Sequence, residues 1–294
     1  MPRLSVLMPA RNAERTIGDA LTSTLRAMPR DAELIVLDDA SGDRTPEIAS
    51  STGDPRVEVV SVTERLGVVR AAGTLLERAT GELVARMDAD DICLPWRFRA
   101  ELAAIERGSD IVFSSFQIIG DGLRRPALPV GFGAAAARLA MLIDCPFPHS
   151  TMLGRTDVLR TAGGYRPDAV GEDYDLWLRA AARGARLARL ARPTVLLRKS
   201  ATQVTAGAGW RESLARDALL QDSYREFTHT VWGTRETPWF AELAFARTGA
   251  LTAEGRAALE PFVVRFLGSL SGLRPGERWY LGRRARQELG WRAG

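Results

Sequence analysis

The sequence predicts an α/β protein in which a mostly parallel central sheet is flanked by helices and followed by a helical C-terminal extension. Short apolar runs alternate with amphipathic segments through residues 1–120. Strands separated by helices of about 10–15 residues are typical of βαβ units, which build parallel sheets. After about residue 206 the pattern changes to amphipathic helix throughout. With 294 residues, 46% of them apolar, the chain has ample material for a large core.

The first part of the chain supplies strands and helices in alternation. Apolar runs predict strands at 4–8, 33–37, 57–62, 82–87 and 110–119. Amphipathic spacing between them predicts helices at 13–28, 43–51, 67–79 and 95–108. In a parallel sheet of this kind, ligands bind outside the carboxyl ends of the strands. The residues that follow the second and fourth strands are therefore expected to share one sheet edge.

The second part of the chain is less regular. Residues 120–133 are rich in Gly, Pro and Arg, which predicts a loop, and a helix is predicted at 134–143. A Pro-rich turn, CPFPHS, and a short strand at 151–153 come next. Glu172 then opens a helix whose apolar residues recur at helical spacing. We place an approximate boundary between the α/β part and the helical extension before residue 206.

Charge and composition exclude several classes of function. The formal net charge is +4 from 40 basic and 36 acidic residues, and no basic run is long enough to indicate a nucleic-acid partner. Cys93 and Cys145 form neither a metal-ligand spacing nor a disulfide framework, which fits a reducing cytoplasm. The opening MPRLSVLMPA is too short for a signal peptide, and no apolar segment approaches the roughly 18–20 residues of a membrane span. We expect a soluble, cytoplasmic protein, with peripheral contact at the inner face of the membrane left open.

An acidic cluster follows the fourth predicted strand, in the segment ELVARMDADDICLPWR at 82–97. Asp88, Asp90 and Asp91 repel one another, and a divalent cation would relieve that repulsion. Carboxylate oxygens are the hard ligands that Mg²⁺ and Mn²⁺ prefer, and such ions often reach out to substrate phosphates. The cluster therefore indicates half of a metal–diphosphate site. The alternative is that one of the three caps the following helix while the others are solvated.

A second acidic cluster, DDASGD at 38–43, ends the second predicted strand. A role as ordinary turn or N-cap residues explains Asp38, Ser41 and Asp43 as well as a role in ligand binding does. Asp39 is different, because a carboxylate at this sheet edge could accept the N–H of a nucleobase such as a pyrimidine imide. Asp39 is therefore a candidate for nucleotide binding.

Two further candidates lie downstream. Glu172 and Asp173 begin a predicted helix, where the macrodipole favours acidic residues in any case. A helix N-terminus that faces a cleft also keeps a carboxylate ionised at neutral pH, as a general base requires. His149, in the Pro-rich turn, is either a hydrogen-bonded structural histidine or a residue of the same cleft.

Familiar nucleotide-binding loops are missing from the sequence. After the first predicted strand the chain reads PARN rather than Gly-x-Gly-x-x-Gly, so a dinucleotide-binding fold is excluded. No Gly-Lys-Ser/Thr loop occurs, which excludes a P-loop protein. The Gly-rich basic loop with which a sugar-1-phosphate nucleotidyltransferase grips a triphosphate is also absent, so that class is a weak alternative.

Taken in order, these motifs resemble the family 2 glycosyltransferases, which are inverting enzymes of the GT-A fold. The matching segments lie at 5–14, 34–43, 67–97, 149–165 and 171–184. The resemblance implies a GT-A catalytic domain over 1–205, with a nucleotide-binding half at 1–120 and an acceptor-binding half at 121–205. Residues 206–294 form the helical extension.

The resemblance also implies roles for individual residues. Asp39 matches the residue that binds the base, and Asp90 matches the metal ligand of the Asp-x-Asp motif, with Asp88 assisting at the metal or ribose. Asp173 matches the base that deprotonates the acceptor hydroxyl, and Asp91 is interpreted as a helix cap. The cofactor is then a divalent metal, Mn²⁺ or Mg²⁺. The nucleotide-sugar site comprises Pro9, Arg11, Asn12, Glu14, Asp39, Arg70 and Asp88, and the acceptor side comprises His149 and Glu172.

The predicted activity is transfer of a sugar, with inversion, from a UDP- or dTDP-sugar to a hydroxyl of a glycan, glycolipid or natural product. The partners are the nucleotide-sugar donor and a carbohydrate or lipid-linked acceptor. The alternative from another class is a catalytically silent GT-A module that binds a nucleotide sugar or a protein. The extension is expected to pack its aromatic residues against the catalytic domain, with an acceptor lid, a homodimer contact or a membrane-facing surface as alternatives. Its tryptophans are Trp210, Trp232, Trp239, Trp279 and Trp291.

Some positions depart from the family pattern. Arg11 stands where relatives often have an aromatic residue, and Arg65 replaces a frequent Asn before Gly67. A guanidinium plane can also stack on a base, so the nucleotide-binding prediction survives. In LLRKSATQVT at 196–205 this chain has no His near Ser200, where many relatives have one.

Overall fold

The computed structural model describes residues 2–120, 125–126, 130–198, 209–246 and 252–288. The described residues form one nine-stranded sheet with helices packed on it. The strands are β1 (Leu4–Ala10), β2 (Ala32–Asp39), β3 (Val57–Val62), β4 (Leu83–Arg86), β5 (Ile92–Cys93), β6 (Ile111–Ile119), β7 (Arg125–Pro126), β8 (Leu153–Arg155) and β9 (Leu187–Arg198). Their order across the sheet is β3-β2-β1-β4-β8-β6-β9-β5, and β7 pairs with β6. The expected α/β class is confirmed.

Helices connect most of the strands and make up most of the described part of the extension. They are α1 (Ile17–Ala27), α2 (Thr45–Ser50), α3 (Val68–Arg78), α4 (Arg97–Glu106), α5 (Ala134–Ile143), α6 (Thr156–Thr161), α7 (Glu172–Ala182), α8 (Trp210–Arg216), α9 (Ala218–Trp232), α10 (Phe240–Ala246), α11 (Ala253–Ser269) and α12 (Pro275–Glu288). Short 3-10 turns lie at His149–Thr151 and Leu270–Gly272. The predicted elements are found in the expected order, while β5, β7, β9 and α6 have no predicted counterpart.

The strands β3, β2, β1 and β4 are neighbours and run parallel. Ala10 of β1 pairs with Asp38 of β2, and Leu7 of β1 pairs with Arg86 of β4. Parallel strands end on the same side of a sheet, so the carboxyl ends of β2 and β4 share one edge. The register therefore brings Asp39 and the acidic segment 88–91 to the same edge, as the sequence predicts.

The rest of the sheet is mixed. β8 runs antiparallel to both β4 and β6, whereas β9 runs parallel to β6. The pairing of β9 shifts register around Ser115, which lies opposite Pro193. Proline has no N–H to donate and is tolerated where a strand bulges. The sequence did not predict β9 because its three arginines and its proline interrupt the apolar pattern of LARLARPTVLLR.

Both faces of the sheet are covered by apolar cores. Successive side chains of a strand point to opposite faces, so Leu34 of β2 belongs to one core and Ile35 to the other. The core that contains Ile35 also contains Trp177 of α7, Tyr224 of α9 and Phe262 of α11. The extension is therefore packed on the same core as the sheet.

The tryptophans of the extension have different surroundings. Trp239 is buried in the core that contains Trp177, and Trp232 packs against that core. The predicted packing is confirmed for these two residues. Trp279 of α12 is 52% exposed. The side chain of Trp210 and all of Trp291 lie outside the described residues.

Some predictions fall partly or wholly outside the described residues. The boundary before residue 206 and the position near Ser200 are among them, and both stay predictions. Within the predicted loop at 120–133, β7 is a two-residue strand that the sequence did not reveal. Among the helices that are described, none has the length and apolarity needed to cross a membrane.

Candidate active site

The loops that follow β1 and β2 are joined by hydrogen bonds. Asn12 has a φ of 48°, and its side-chain oxygen accepts the N–H of Gly42 at 2.9 Å. The N–H of Asn12 is in turn accepted by the Ser41 hydroxyl at 2.9 Å. Glu14 accepts the N–H of Arg44 at 3.4 Å. Asn12 and Glu14, which are predicted to contact the nucleotide sugar, therefore also brace the loops at this sheet edge.

Asp39 lies at the carboxyl end of β2 and is 5% exposed. Its two carboxylate oxygens accept the N–H groups of Leu66 at 2.5 Å and Gly67 at 3.0 Å. Gly67 has a φ of 82°, which glycine adopts without strain, directly before α3. A carboxylate offers about four acceptor sites, so capacity remains for a nucleobase N–H. Of the other predicted nucleotide-sugar residues, Pro9 is half-buried, and Arg11 and Arg70 are exposed.

The acidic segment after β4 forms a compact group of oxygen donors. Asp88, Asp90 and Asp91 each offer one carboxylate oxygen, and these three atoms lie within 4.8 Å of one another. Asp88 and Asp90 are half-buried and Asp91 is buried. Hard, negatively charged oxygen ligands at this spacing suit Mg²⁺ or Mn²⁺. The donor set therefore fits the divalent cation that the sequence predicts.

The three carboxylates differ in their ionisation. Burial works to raise the pKa of Asp88, but the Arg86 guanidinium, which donates from Nε to Asp88 Oδ1 at 2.8 Å, holds that pKa below its ordinary value. Burial and the charge of Asp88 raise the pKa of Asp90. The same two causes raise the pKa of Asp91 to about 8. A bound divalent cation would favour the ionised form of all three groups.

The interpretation of Asp91 as a helix cap is wrong. α4 begins at Arg97, and its N-terminus, which is fully described, has no side-chain cap. Asp91 Oδ1 instead accepts the N–H of Arg198 at 2.9 Å. The Nε of Arg198 also donates to the carbonyl oxygen of Asp90 at 3.0 Å. The end of β9 therefore holds the acidic segment in place.

Glu172 and Asp173 occupy the first turn of α7, as predicted, and both are half-buried. Asp173 Oδ1 accepts the N–H of Tyr174 at 2.7 Å, and the Cys145 thiol lies 3.9 Å from Asp173 Oδ2. Burial raises the pKa of Asp173 to about 6. Burial and the charge of Asp173 raise the pKa of Glu172 to about 7. Both groups are thus poised near neutral pH, where general bases work efficiently.

His149 lies beside the start of α7. Its Nε2 is 2.7 Å from the Tyr165 hydroxyl, and its Nδ1 is 3.9 Å from a carboxylate oxygen of Glu172. Burial and the nearby charge of Arg86 lower the pKa of His149 to about 3, so the imidazole is neutral at pH 7. The geometry fits a hydrogen-bonded structural histidine that also borders the predicted acceptor side.

Arg86, the last residue of β4, is a site residue that the sequence analysis missed. Its side chain is 7% exposed. Its charge favours the ionised form of Asp88 and also those of Glu172 and Asp173. The charge of one guanidinium therefore acts on acidic groups from both predicted halves of the domain. A charged residue inside an otherwise apolar strand is the sequence signal that would have identified it.

A buried network joins α7 to the extension. Asp175 is fully buried and accepts the Ser223 hydroxyl of α9 at 2.7 Å. It also accepts Nε of Arg166 and Nε of Arg179, each at 2.9 Å. Asp175 lies about half a helical turn after Asp173 in α7. Since Ser223 of the extension holds Asp175, the extension also helps to position Asp173, the predicted base.

The mixed sheet, with acidic residues after its parallel strands and at the start of a nearby helix, defines a glycosyltransferase of the GT-A type. The sequence profile of glycosyl transferase family 2 matches residues 5–161, which is more than half of the chain. The chain belongs to this family, and the resemblance seen in the sequence is confirmed.

Curated relatives are themselves named as glycosyltransferases. EpsE of Bacillus subtilis is 32% identical over 192 residues, which cover 60% of this chain and 66% of EpsE. The amylovoran biosynthesis glycosyltransferase AmsE of Erwinia amylovora is 33% identical over 158 residues, 52% of this chain and 58% of AmsE. The UDP-Glc:alpha-D-GlcNAc-diphosphoundecaprenol beta-1,3-glucosyltransferase WfgD of Escherichia coli is 28% identical over 119 residues, 40% of this chain and 47% of WfgD. The matches thus span between about half and two thirds of these relatives' length, and AmsE is named for the biosynthesis of a polysaccharide.

Solved structures share the fold over nearly the whole chain. TarS of S. aureus, solved with UDP-GlcNAc, aligns with a TM-score of 0.63 at 17% identity, over 98% of this chain and 92% of that chain. The mannosyltransferase PcManGT of Pyrobaculum calidifontis, solved with GDP-Man and Mn²⁺, aligns with a TM-score of 0.56 at 21% identity, over 97% and 80%. At these identities the likeness shows the fold alone, and it confirms the GT-A fold.

Proposed function

We propose that the protein is an inverting, divalent-metal-dependent glycosyltransferase that uses a UDP- or dTDP-sugar. The observation that carries this proposal is that the Arg86 guanidinium, which donates to Asp88 at 2.8 Å, also lies close enough to Glu172 for their charges to interact. The group after β4 suits a departing diphosphate with its cation, and the group at the start of α7 suits an attacking hydroxyl. Donor and acceptor chemistry would therefore share one cleft.

On the donor side, Asp39 would accept the imide N–H of uracil or thymine, and Arg11 would stack on the base. Asp90, with Asp88, would hold Mg²⁺ or Mn²⁺, which as a Lewis acid stabilises charge on the leaving diphosphate. Arg86 would keep Asp88 ionised and oriented. Two proteins that share the fold were solved with nucleotide sugars, TarS with UDP-GlcNAc and PcManGT with GDP-Man and Mn²⁺, which is consistent with a nucleotide-sugar donor and a divalent cation here.

On the acceptor side, Asp173 would take the proton of the hydroxyl while that oxygen bonds to the anomeric carbon. The bond from this carbon to the diphosphate breaks on the opposite face, and its electron pair leaves with the nucleoside diphosphate. One displacement inverts the anomeric centre and needs one base, unlike glycoside hydrolysis with its two carboxylates. The names of AmsE and WfgD support a glycan or a lipid-linked acceptor, which would contact His149 and Glu172.

A donor panel tests the proposed function. The protein is incubated with UDP-, dTDP- and GDP-sugars and Mn²⁺ or Mg²⁺, and the release of free nucleoside diphosphate is measured with and without glycan and lipid-linked acceptors. We expect acceptor-dependent release of UDP or dTDP that chelation of the metal abolishes. Binding of a nucleotide sugar without turnover for any acceptor would instead support the silent module.

Asp90→Asn is expected to lower kcat with Mn²⁺ by more than about 100-fold, because a neutral amide is a poor ligand for a hard cation. Asp31→Asn is the matched control, since Asp31 is exposed before β2. It is expected to keep the parental rate and metal dependence. An Asp90→Asn variant with an unchanged Mn²⁺ titration curve would exclude Asp90 as the metal ligand.

The raised pKa values at the start of α7 predict an acidic limb in the pH profile. Asp173 acts as a base only when it is ionised, and its pKa lies at about 6, beside a Glu172 pKa of about 7. We expect kcat/KM to rise about tenfold per pH unit on the acidic side and to level off above this range, with an apparent pKa that belongs to the pair. Initial rates across the pH range measure the limb. A limb near the ordinary aspartate value of 3.8 would show that the base is solvated.

A further inference from the structure

The positive charge of the chain is concentrated at its C-terminal end. Residues 270–294 contain six arginines and two glutamates, an excess of four that equals the formal net charge of the whole chain. The residues before them are therefore neutral on balance. The described part of this region contains α12.

One side of α12 presents arginines and a tryptophan to solvent. Arg283 and Arg286 follow Trp279 at four and seven residues, and Arg278 flanks it, so the four side chains share one side of the helix. All four are exposed, Trp279 to 52%. The guanidinium of Arg283 lies 5.4 Å from the centre of the Trp279 ring. We call Arg278, Trp279, Arg283 and Arg286 the Arg-Trp face.

The opposite side of α12 is fixed to the body of the protein. Arg284 donates to Asp144 Oδ2 at 2.8 Å, and Glu277 accepts the N–H of Gly133 at 2.8 Å. Glu277 is buried, and three of the four residues of the Arg-Trp face are exposed arginines, so these four residues carry a positive charge. Asp144 in turn lies close enough to Asp173 for its charge to disfavour the ionised base. The helix that carries the face therefore braces the predicted acceptor side of the site.

We propose that the Arg-Trp face docks on the surface of an anionic lipid bilayer. Arginines near a membrane surface are attracted to acidic headgroups. An indole is favoured at the headgroup level, where its ring leaves water while its N–H stays hydrated. A bilayer satisfies both contacts on one surface, whereas a polyanion that lacks apolar or aromatic groups would engage the arginines and leave most of the indole exposed. The inference does not depend on the proposed reaction, because none of the four residues of the face has a role in it.

Vesicle co-sedimentation tests the proposal. The full-length protein is mixed with vesicles of phosphatidylcholine alone, or of equal parts phosphatidylcholine and phosphatidylglycerol. We expect sedimentation with the anionic vesicles and little with the neutral ones, and weaker binding at high salt because of screening. Combined Arg278→Glu, Arg283→Glu and Arg286→Glu substitutions are expected to weaken binding at least about 100-fold, since each basic residue near an anionic surface contributes roughly fivefold.

A matched triple variant distinguishes an effect of the Arg-Trp face from an effect of the overall charge. Arg30→Glu, Arg99→Glu and Arg107→Glu make the same charge change at exposed residues outside α12, and this variant is expected to keep vesicle binding. Trp279→Ser leaves the charge unchanged and is expected to weaken binding by itself. Circular dichroism and thermal unfolding establish that each variant is folded. Equal binding to neutral vesicles, equal losses in both triple variants, or binding to a single-stranded oligonucleotide but not to vesicles would each overturn the proposal.

Discussion

Replacing Asp173 with asparagine is expected to lower kcat by about 10²–10⁴-fold while nucleotide-sugar binding stays near the parental level. The asparagine side chain has almost the same shape and can still accept the N–H of Tyr174. It cannot take a proton from the acceptor hydroxyl. Initial rates of nucleoside diphosphate release and calorimetric titration with UDP measure the two properties separately.

Asp168→Asn is the matched control for this substitution, because Asp168 is an exposed aspartate in the segment that leads to α7. Its kcat is expected to equal that of the parent. A parental rate for Asp173→Asn would remove Asp173 from the role of base and leave Glu172 as the next carboxylate to test.

The same asparagine variant is expected to change stability in a pH-dependent way. The folded pKa of Asp173, about 6, lies above the ordinary value of 3.8. The group therefore favours folding most below pH 3.8, and this contribution is lost as the pH rises through 6. In metal-free buffer at about pH 8 the variant should melt at a higher temperature than the parent, and the difference should shrink toward about pH 4. Thermal unfolding at the two pH values measures this difference. A variant that melts at a lower temperature than the parent at the higher pH would contradict the prediction.

Asp175→Ala is expected to lower the free energy of unfolding by about 3–5 kcal/mol. The Asp175 carboxylate is fully buried and accepts hydrogen bonds from Arg166, Arg179 and Ser223. Its removal leaves two guanidinium groups without their buried counter-charge. Because the network joins α7 to α9, we also expect kcat to fall through displacement of Asp173. Urea denaturation and initial rates measure the two effects.

Asp222→Ala provides the comparison on the surface of α9. The Asp222 side chain is 69% exposed and pairs with Arg225 at 2.7 Å. Its loss is expected to change the free energy of unfolding by less than about 0.5 kcal/mol, as for other exposed ion pairs. Similar losses in the two variants would show that the buried network contributes no more than a surface pair.

Elements with strong periodicity were predicted closely. The strand β3 and the helix α5 begin and end where the sequence placed them, at 57–62 and 134–143. Both have a clear pattern of apolar residues and turn residues at their ends. By contrast β9 was missed, because its arginines and Pro193 hide a strand whose pairing with β6 depends on a register shift. Its role in holding Asp91 was missed with it.

The local sequence pattern was enough to predict the α/β class, the family resemblance and the placement of Asp39 and Asp90 at one sheet edge. Periodicity identifies strands and helices, and parallel strands end on the same side of a sheet. Tertiary packing decided the partners of these groups: the charge of Arg86 close to both Asp88 and Glu172, the N–H of Arg198 on Asp91, and Asp175 against α9. The residues in the last two contacts are far apart in the sequence and meet only when the register of the sheet and the docking of the extension are set. No spacing along the chain encodes those contacts.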